Sequence, residues 1–289
     1  MKTFKDIIAE ADEKQVAVGH FNIADTAALK AVFESARELN VPVIIGTSEG
    51  EREFLDPHEA VALIKELRKK YDYPIFINAD HTHSLEKVEE AAKAGYDAIL
   101  FDGGKLPLEE NFQKTKEAVD LVRSIDSNII VEGELGYIGG GSKILKEIPE
   151  GAAIKAGDFT NPEDAARFVV ETGIDLLAPA VGNIHGILAS AANPNLDIER
   201  IREIRSAGGA PLVLHGGSGV SDEDFSKAIE AGVAIIHIST EMRVAWRAGL
   251  EKSLKEKPDE LAPYKLLDSS VLAIKEVVSK RLRLFNRMK

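Results

Sequence analysis

A chain of 289 residues with no cysteine can carry no disulfide framework, no thiolate zinc site and no cysteine nucleophile. Its 36 Lys and Arg stand against 48 Asp and Glu, and the net charge of -12 argues against general nucleic-acid binding. Hydrophobic residues make up 44% of it, enough for a substantial core, yet no apolar run approaches membrane-spanning length. The opening stretch MKTFKDIIAEADEKQ is charged and amphipathic and lacks a signal-peptide core, so a cytoplasmic protein with no membrane partner is the expectation.

Short β-branched runs then alternate with stretches of helical period. QVAVGHFN leads into AALKAVFESARELN, PVIIGTS into PHEAVALIKELRKKY, and PIFINAD into SLEKVEEAAKAG. AILFD and NIIVEGEL follow, then NPEDAARFVVETG, LLAPAVG, PLVLHGG with SDEDFSKAIEAG, and finally AIIHIS. Most of the runs are apolar almost without interruption, as strands buried on both faces must be. Ser84 and Ser221 are placed to cap helices, and Gly95, Gly173 and Gly232 to end them. Eight strand–helix units in series predict a (β/α)8 TIM barrel, one domain over residues 1–289 with extra terminal helices. The alternative is an open doubly wound sheet, but no GxGxxG follows the first strand. One connection is long: residues 136–160, Gly-rich and then charged, read as a mobile active-site loop. The tail SSVLAIKEVVSKRLRLFNRMK reads as a further amphipathic helix.

In such a barrel the functional side chains come from the C-terminal ends of several strands. Those ends carry Asn22, Ser48, Asp80 and His81, Asp102, Glu132 and Glu134, His185, His215, and His237 with Ser239 and Thr240. A lone histidine there is most often an ordinary hydrogen-bonded residue. Three of them, His81, His185 and His215, are the right number and type for an open catalytic metal site, with zinc the simplest occupant. His83 reads as a helix-start or supporting residue, and His58 and His20 as structural ones. HGGSG at 215–219 follows the seventh run, where glycines let backbone N–H groups approach a phosphate.

These pieces together resemble the class II, metal-dependent fructose-bisphosphate aldolases, a family that also includes tagatose-bisphosphate aldolases. The matching pieces are FN at 21–22, SEG at 48–50, DH at 80–81, FDGGKLPLEEN at 101–111 and EGELGYIGG at 132–140. VGNIHG at 181–186, PLVLHGGSG at 211–219 and STEMR at 239–243 complete them, in order and over nearly the full length. The resemblance implies His81, His185 and His215 as zinc ligands and Asp80 as the acid/base residue. It implies Asp102 and Glu134 as a second, less regular metal position. Gly186, Gly216, Gly217, Ser218 and Thr240 match contacts to dihydroxyacetone phosphate, and Ser48 a contact to the aldehyde half. The expected cofactor is Zn2+, with a monovalent cation as a secondary expectation. The expected partners are a small phosphorylated sugar and further copies of the chain, as a dimer or tetramer, and the setting is glycolysis or related carbohydrate metabolism. The chemistry agrees: without a Schiff-base lysine, the charge left by cleavage beside a ketone needs a Lewis acid, and Asp80 can take the C4 hydroxyl proton.

The chain departs from the family where Asn-x-Asp usually precedes TE: it has His237 and Ser239. His237 then either hydrogen-bonds the phosphate or the reacting centre, or turns outward and packs on a barrel helix. A lysine common after the HG of the sixth run is absent, and Gly141 and Ser142 stand where acids often follow GG, leaving Glu147 or Glu150 as substitutes from the loop. Fructose 1,6-bisphosphate is the first expectation for the substrate. The alternatives are tagatose bisphosphate or another ketose–aldehyde pair, or a sugar-phosphate-binding barrel without turnover.

Overall fold

A computed structural model describes residues 2–288. Its strands are β1 (Val18–Asn22), β2 (Val43–Thr47), β3 (Ile75–Thr82), β4 (Ala98–Phe101), β5 (Ile130–Leu135), β6 (Ile144–Leu145), β7 (Leu176–Pro179), β8 (Ile187–Leu188), β9 (Leu212–Leu214) and β10 (Val233–Ile238). Eight of them close into a parallel barrel in the order β1-β10-β9-β7-β5-β4-β3-β2. This is the (β/α)8 architecture, and each of the eight apolar runs forms one of its strands.

Helices lie between successive strands because their apolar faces cover the outside of the barrel. Ala28, Leu29, Ala31 and Val32 of the helix Thr26–Leu39, for example, join the same core as Val43 and Ile45 of β2. The expected caps are present. The Ser84 and Ser221 hydroxyls accept from the N–H groups of Lys87 and Asp224, and Gly95 and Gly173 end their helices in the left-handed conformation.

A second core fills the barrel's interior from below. The helix Phe4–Glu13 places Phe4, Ile7, Ile8 and Ala11 on one face, against Val18, Ile44, Phe76 and Val213 from the strands. Phe4 stacks on Phe76 with ring centroids 4.6 Å apart. The N-terminal mouth is thereby plugged, and the C-terminal mouth carries the cavity. At the other end of the chain the helix Asp268–Phe285 buries Ile274, Val278, Leu282 and Phe285. Its neighbours are the helices Thr26–Leu39 and Thr240–Glu256 and strand β1. Among the described residues no helix is long and apolar enough to cross a membrane.

The long connection after β5 is ordered by a feature the sequence did not reveal. Its two-residue strand β6 pairs with β8, Ile144 with Ile187 and Leu145 with Leu188. Leu145 and Ala152 pack with Ile184 beneath it.

Candidate active site

A cavity of about 710 Å³ opens at the C-terminal ends of the strands. Its chemistry begins with a fault in β3. Ala79 pairs with Ile99, but the next pair is Thr82 with Phe101, so β3 spends one residue more than β4. The extra residue is a β-bulge, and His81 adopts a left-handed φ of 46° there. Such a conformation costs a non-glycine residue about 1–2 kcal/mol. The buried Arg52 holds it in place, donating from Nη1 to the Thr47 carbonyl and to Asp80 O (3.0 Å) and from Nη2 to Thr82 Oγ1 (3.1 Å). Without the bulge Asp80 and His81 would turn to opposite faces of the strand. With it both reach the cavity.

His81, His185 and His215 come together as expected. The His81 ring lies 4.7 Å from that of His185 and 5.0 Å from that of His215, centroid to centroid. Together with Glu134 they offer ligand atoms that all lie within 4.8 Å of one another. Carboxylates back two of the rings. His81 Nδ1 lies 2.7 Å from Asp102 Oδ2, and His215 Nε2 lies 2.7 Å from Glu132 Oε1. A carboxylate only accepts, so those nitrogens donate, and in a neutral ring the opposite nitrogen carries the lone pair that a metal needs. His215 Nδ1, His185 Nε2 and Glu134 Oε2 are buried and make no hydrogen bond. An unpartnered buried polar atom costs about 1–3 kcal/mol, so several converging on one point indicate a cation site. Three imidazoles with an adjacent carboxylate, two of the rings backed by carboxylates, fit a divalent metal such as zinc.

Asp102 takes part through this hydrogen bond and one from the Gly104 N–H (3.0 Å), and its oxygens are not among the four clustered ligand atoms. The electrostatics follow from burial and close charges. Burial opposes ionisation of Asp80, but the His81 charge and His237 outweigh it and hold the carboxyl well below its usual range. Burial opposes the charge of His81 as well, yet Asp80, Asp102 and Glu134 raise it to about 10. Burial, aided by Asp102, pushes Glu134 well above the normal carboxyl range. Burial and neighbouring imidazoles depress His185 and His237 well below theirs.

Asp80 meets polar side chains on two sides. Asn22 Nδ2 donates to Asp80 Oδ2 at 2.8 Å and to Glu51 Oε2 at 3.0 Å, which makes Asn22 a brace. Glu51 also accepts from the Ser48 N–H (2.8 Å) and from Arg243 Nη2 (2.7 Å). On the other side His237 turns into the barrel, not outward against a helix, and its Nδ1 lies 3.4 Å from Asp80 Oδ1. His20 is wholly buried, and its ring stacks on that of His237 at 3.4 Å. His83 is exposed at the rim with Nδ1 3.3 Å from Asp102 O, and His58 sits at an exposed helix start, its N–H donating to Asp56 Oδ1.

Gly186, Gly216, Gly217, Ser218, Ser239 and Thr240 line the opposite side of the cavity. Gly216 has φ +63°, and a Cβ there would meet Ile184 O at 2.4 Å, so only glycine fits. Ser218 Oγ accepts from the N–H groups of Ser239 (3.3 Å) and Glu241 (3.2 Å), at the first turn of the helix Thr240–Glu256. Asn193, which sequence reasoning missed, fixes this end by donating to the carbonyls of Gly186 and Ser218. Ser239 Oγ is buried without a partner. Glu147 and Glu150 are exposed and are not among the residues that line the cavity; Tyr137 and the backbone of 139–142 are.

Comparison with known proteins gives one consistent result. The family model for class-II fructose-bisphosphate aldolase matches residues 2–289. A curated relative from Bacillus subtilis (strain 168), named "Probable fructose-bisphosphate aldolase", is 35% identical over 283 residues, 97% of this chain and 95% of the relative. The crystal structure of the YdjI aldolase from Escherichia coli K12 superposes with a TM-score of 0.81 at 32% identity, covering 97% of this chain and 96% of that one. That of the fructose-bisphosphate aldolase from Campylobacter jejuni reaches 0.82 at 21% identity over 98% and 94%, a likeness of fold alone.

Proposed function

We propose that this chain, which belongs to the class-II fructose-bisphosphate aldolase family and is a metal-dependent aldehyde-lyase, reversibly cleaves fructose 1,6-bisphosphate to dihydroxyacetone phosphate and glyceraldehyde 3-phosphate with zinc as its metal. The observation that carries the reading is the convergence of His81, His185, His215 and Glu134 beside Asp80, with an atom each of His185, His215 and Glu134 buried and unpartnered. His81, His185 and His215 would hold the ion, Glu134 flanks it, and Asp102 and Glu132 orient two of the rings. A divalent ion bound there supplies Lewis-acid stabilisation of the negative charge that develops at the ketose oxygens.

The protein's own groups do the rest. Asp80, ionised and braced by Asn22, removes the proton of the C4 hydroxyl in cleavage and returns it in condensation. The C1 phosphate lies against Gly186, Gly216, Gly217 and Ser218, at the N-terminal end of the helix that begins at Thr240, where unpaired N–H groups and the helix dipole favour an anion. Ser48, across the cavity, faces the aldehyde half. The 136–160 segment closes over the site during turnover. Glu147 or Glu150 serves in proton transfer only if that segment moves, because both now face solvent.

A second reading keeps the reaction and changes the sugar. His237 and Ser239 line the cavity where the family usually has Asn and Asp, which favours a different ketose or aldehyde. Assay of the zinc-loaded protein with fructose and tagatose 1,6-bisphosphates, and of condensation with phosphorylated and unphosphorylated aldehydes, separates the two. Turnover highest with fructose 1,6-bisphosphate supports the first, and cleavage of another ketose phosphate alone supports the second.

A further inference from the structure

Below the Asp80 carboxylate lies a column of buried polar side chains that borders the metal site at His215. His20 on β1 is wholly buried, and its Nε2 lies 3.2 Å from Asn78 Nδ2 on β3. His20 and His237 are register partners on the adjacent strands β1 and β10, which brings their rings face to face. Centroids 3.4 Å apart and planes within 2° make this a tight stack. Strand β2 leaves space for it at Gly46, where a Cβ would lie 2.1 Å from His20 Cε1.

Packing alone does not explain the column. Both nitrogens of His237 are buried without a hydrogen bond, a cost that an apolar side chain would avoid. Asp80 Oδ1 is likewise buried and unpartnered, and His237 Nδ1 faces it at 3.4 Å. The other oxygen of Asp80 is already held by Asn22. On its other side the His237 ring meets the His215 ring at 3.9 Å. Its tilt is therefore set between His20 and a residue of the metal site.

We infer that His20 is a positioning residue for Asp80, acting through His237: the His20 stack fixes the His237 ring so that Nδ1 faces Asp80 Oδ1 and, with Asn22, holds the carboxylate toward the C4 hydroxyl. The inference rests on the proton-transfer role proposed for Asp80. It assigns to two residues of the barrel interior a share in the turnover step and no contact between His20 and the substrate. Misplacing a reacting group by about 1 Å can cost on the order of 100-fold in rate, so the effect belongs in kcat and not in KM.

The test is a double-mutant cycle on the zinc-loaded enzyme, with metal content measured for every variant. His20→Ala lowers kcat by about 10- to 100-fold while KM changes less than about threefold and bound metal stays stoichiometric. In a His237→Ala background the same change lowers kcat no further, because the residue it acts through is gone. His20→Gln, which keeps an amide partner for Asn78 but no ring to stack, replaces the alanine variant if that one does not fold. Unchanged kcat in the folded His20 variant, or an equal loss in both backgrounds, overturns the inference. Asp80→Asn, run alongside, separates the two levels: if it retains turnover the proton-transfer assignment fails, while the cycle still reports whether the imidazoles act as a unit.

Discussion

Removing the carboxylate behind His215 should weaken the metal by a calculable amount. Glu132 and His215 are each about 1% exposed, and Glu132 Oε1 lies 2.7 Å from His215 Nε2. Glu132→Leu leaves a buried ring N–H with no acceptor, at a cost of about 1–3 kcal/mol. The ring can escape that cost by moving its proton to Nδ1, which is the atom turned toward the other ligands. Either route subtracts from binding, and loss of such an outer partner typically weakens a metal site about 10- to 100-fold. That corresponds to about 1.4–2.8 kcal/mol, in line with the unpaired-donor cost. Glu132→Gln keeps an acceptor oxygen and loses only the charge assistance, so its loss should be the smaller. Competition with a chromogenic zinc chelator reads both affinities, and kcat at saturating zinc should stay within a few-fold of the parent. An unchanged zinc affinity in folded Glu132→Leu would refute the idea that Glu132 selects the liganding nitrogen.

Four more outcomes are expected. Alanine at His81, His185 or His215 should each abolish tight zinc binding in elemental analysis; full retention in all three would remove them from the metal site. Asp80→Asn should keep zinc and lose about 10²- to 10⁴-fold in kcat, the usual reach of general acid–base catalysis, and a change of only a few-fold would put the proton transfer elsewhere. Phe4→Ala, at the plugged end of the barrel, should cost about 3–5 kcal/mol in denaturant unfolding with zinc affinity unchanged. Burial, partly opposed by the Asp80 charge, lowers His20 to about 4, so as pH falls below the unfolded value of about 6.5 the unfolded chain binds a proton that the fold refuses. Stability should therefore drop on acidification, with His20 responsible for about 2 kcal/mol between pH 7 and 5; a His20→Gln protein with an equally steep acid loss would contradict this.

The barrel was legible because most strands are short, nearly unbroken apolar runs, the pattern of a strand buried on both faces. That His81, His185 and His215 would meet was legible because each lies at or beyond the end of such a run, and in a barrel every run ends at the same rim. The bulge was not legible. One extra residue in β3 leaves no mark on hydropathy, and it appears only when the partner strand sets the register. The surroundings of His20 were not legible for a related reason: its neighbours His237, Asn78 and Gly46 come from three other strands. Arg52 and Asn193 sit in stretches outside the sequence-predicted elements, and their work of clamping carbonyls is visible only in three dimensions. The acids of the long loop show the reverse problem, since composition counts Glu147 and Glu150 without saying which way they face.

The most direct test of the metal-dependent aldolase is the cleavage of fructose 1,6-bisphosphate by protein stripped of metal and then titrated with zinc. The account predicts no cleavage in the stripped protein and full recovery at one zinc per chain, with dihydroxyacetone phosphate and glyceraldehyde 3-phosphate as the products. Undiminished cleavage by protein verified to be metal-free would contradict it.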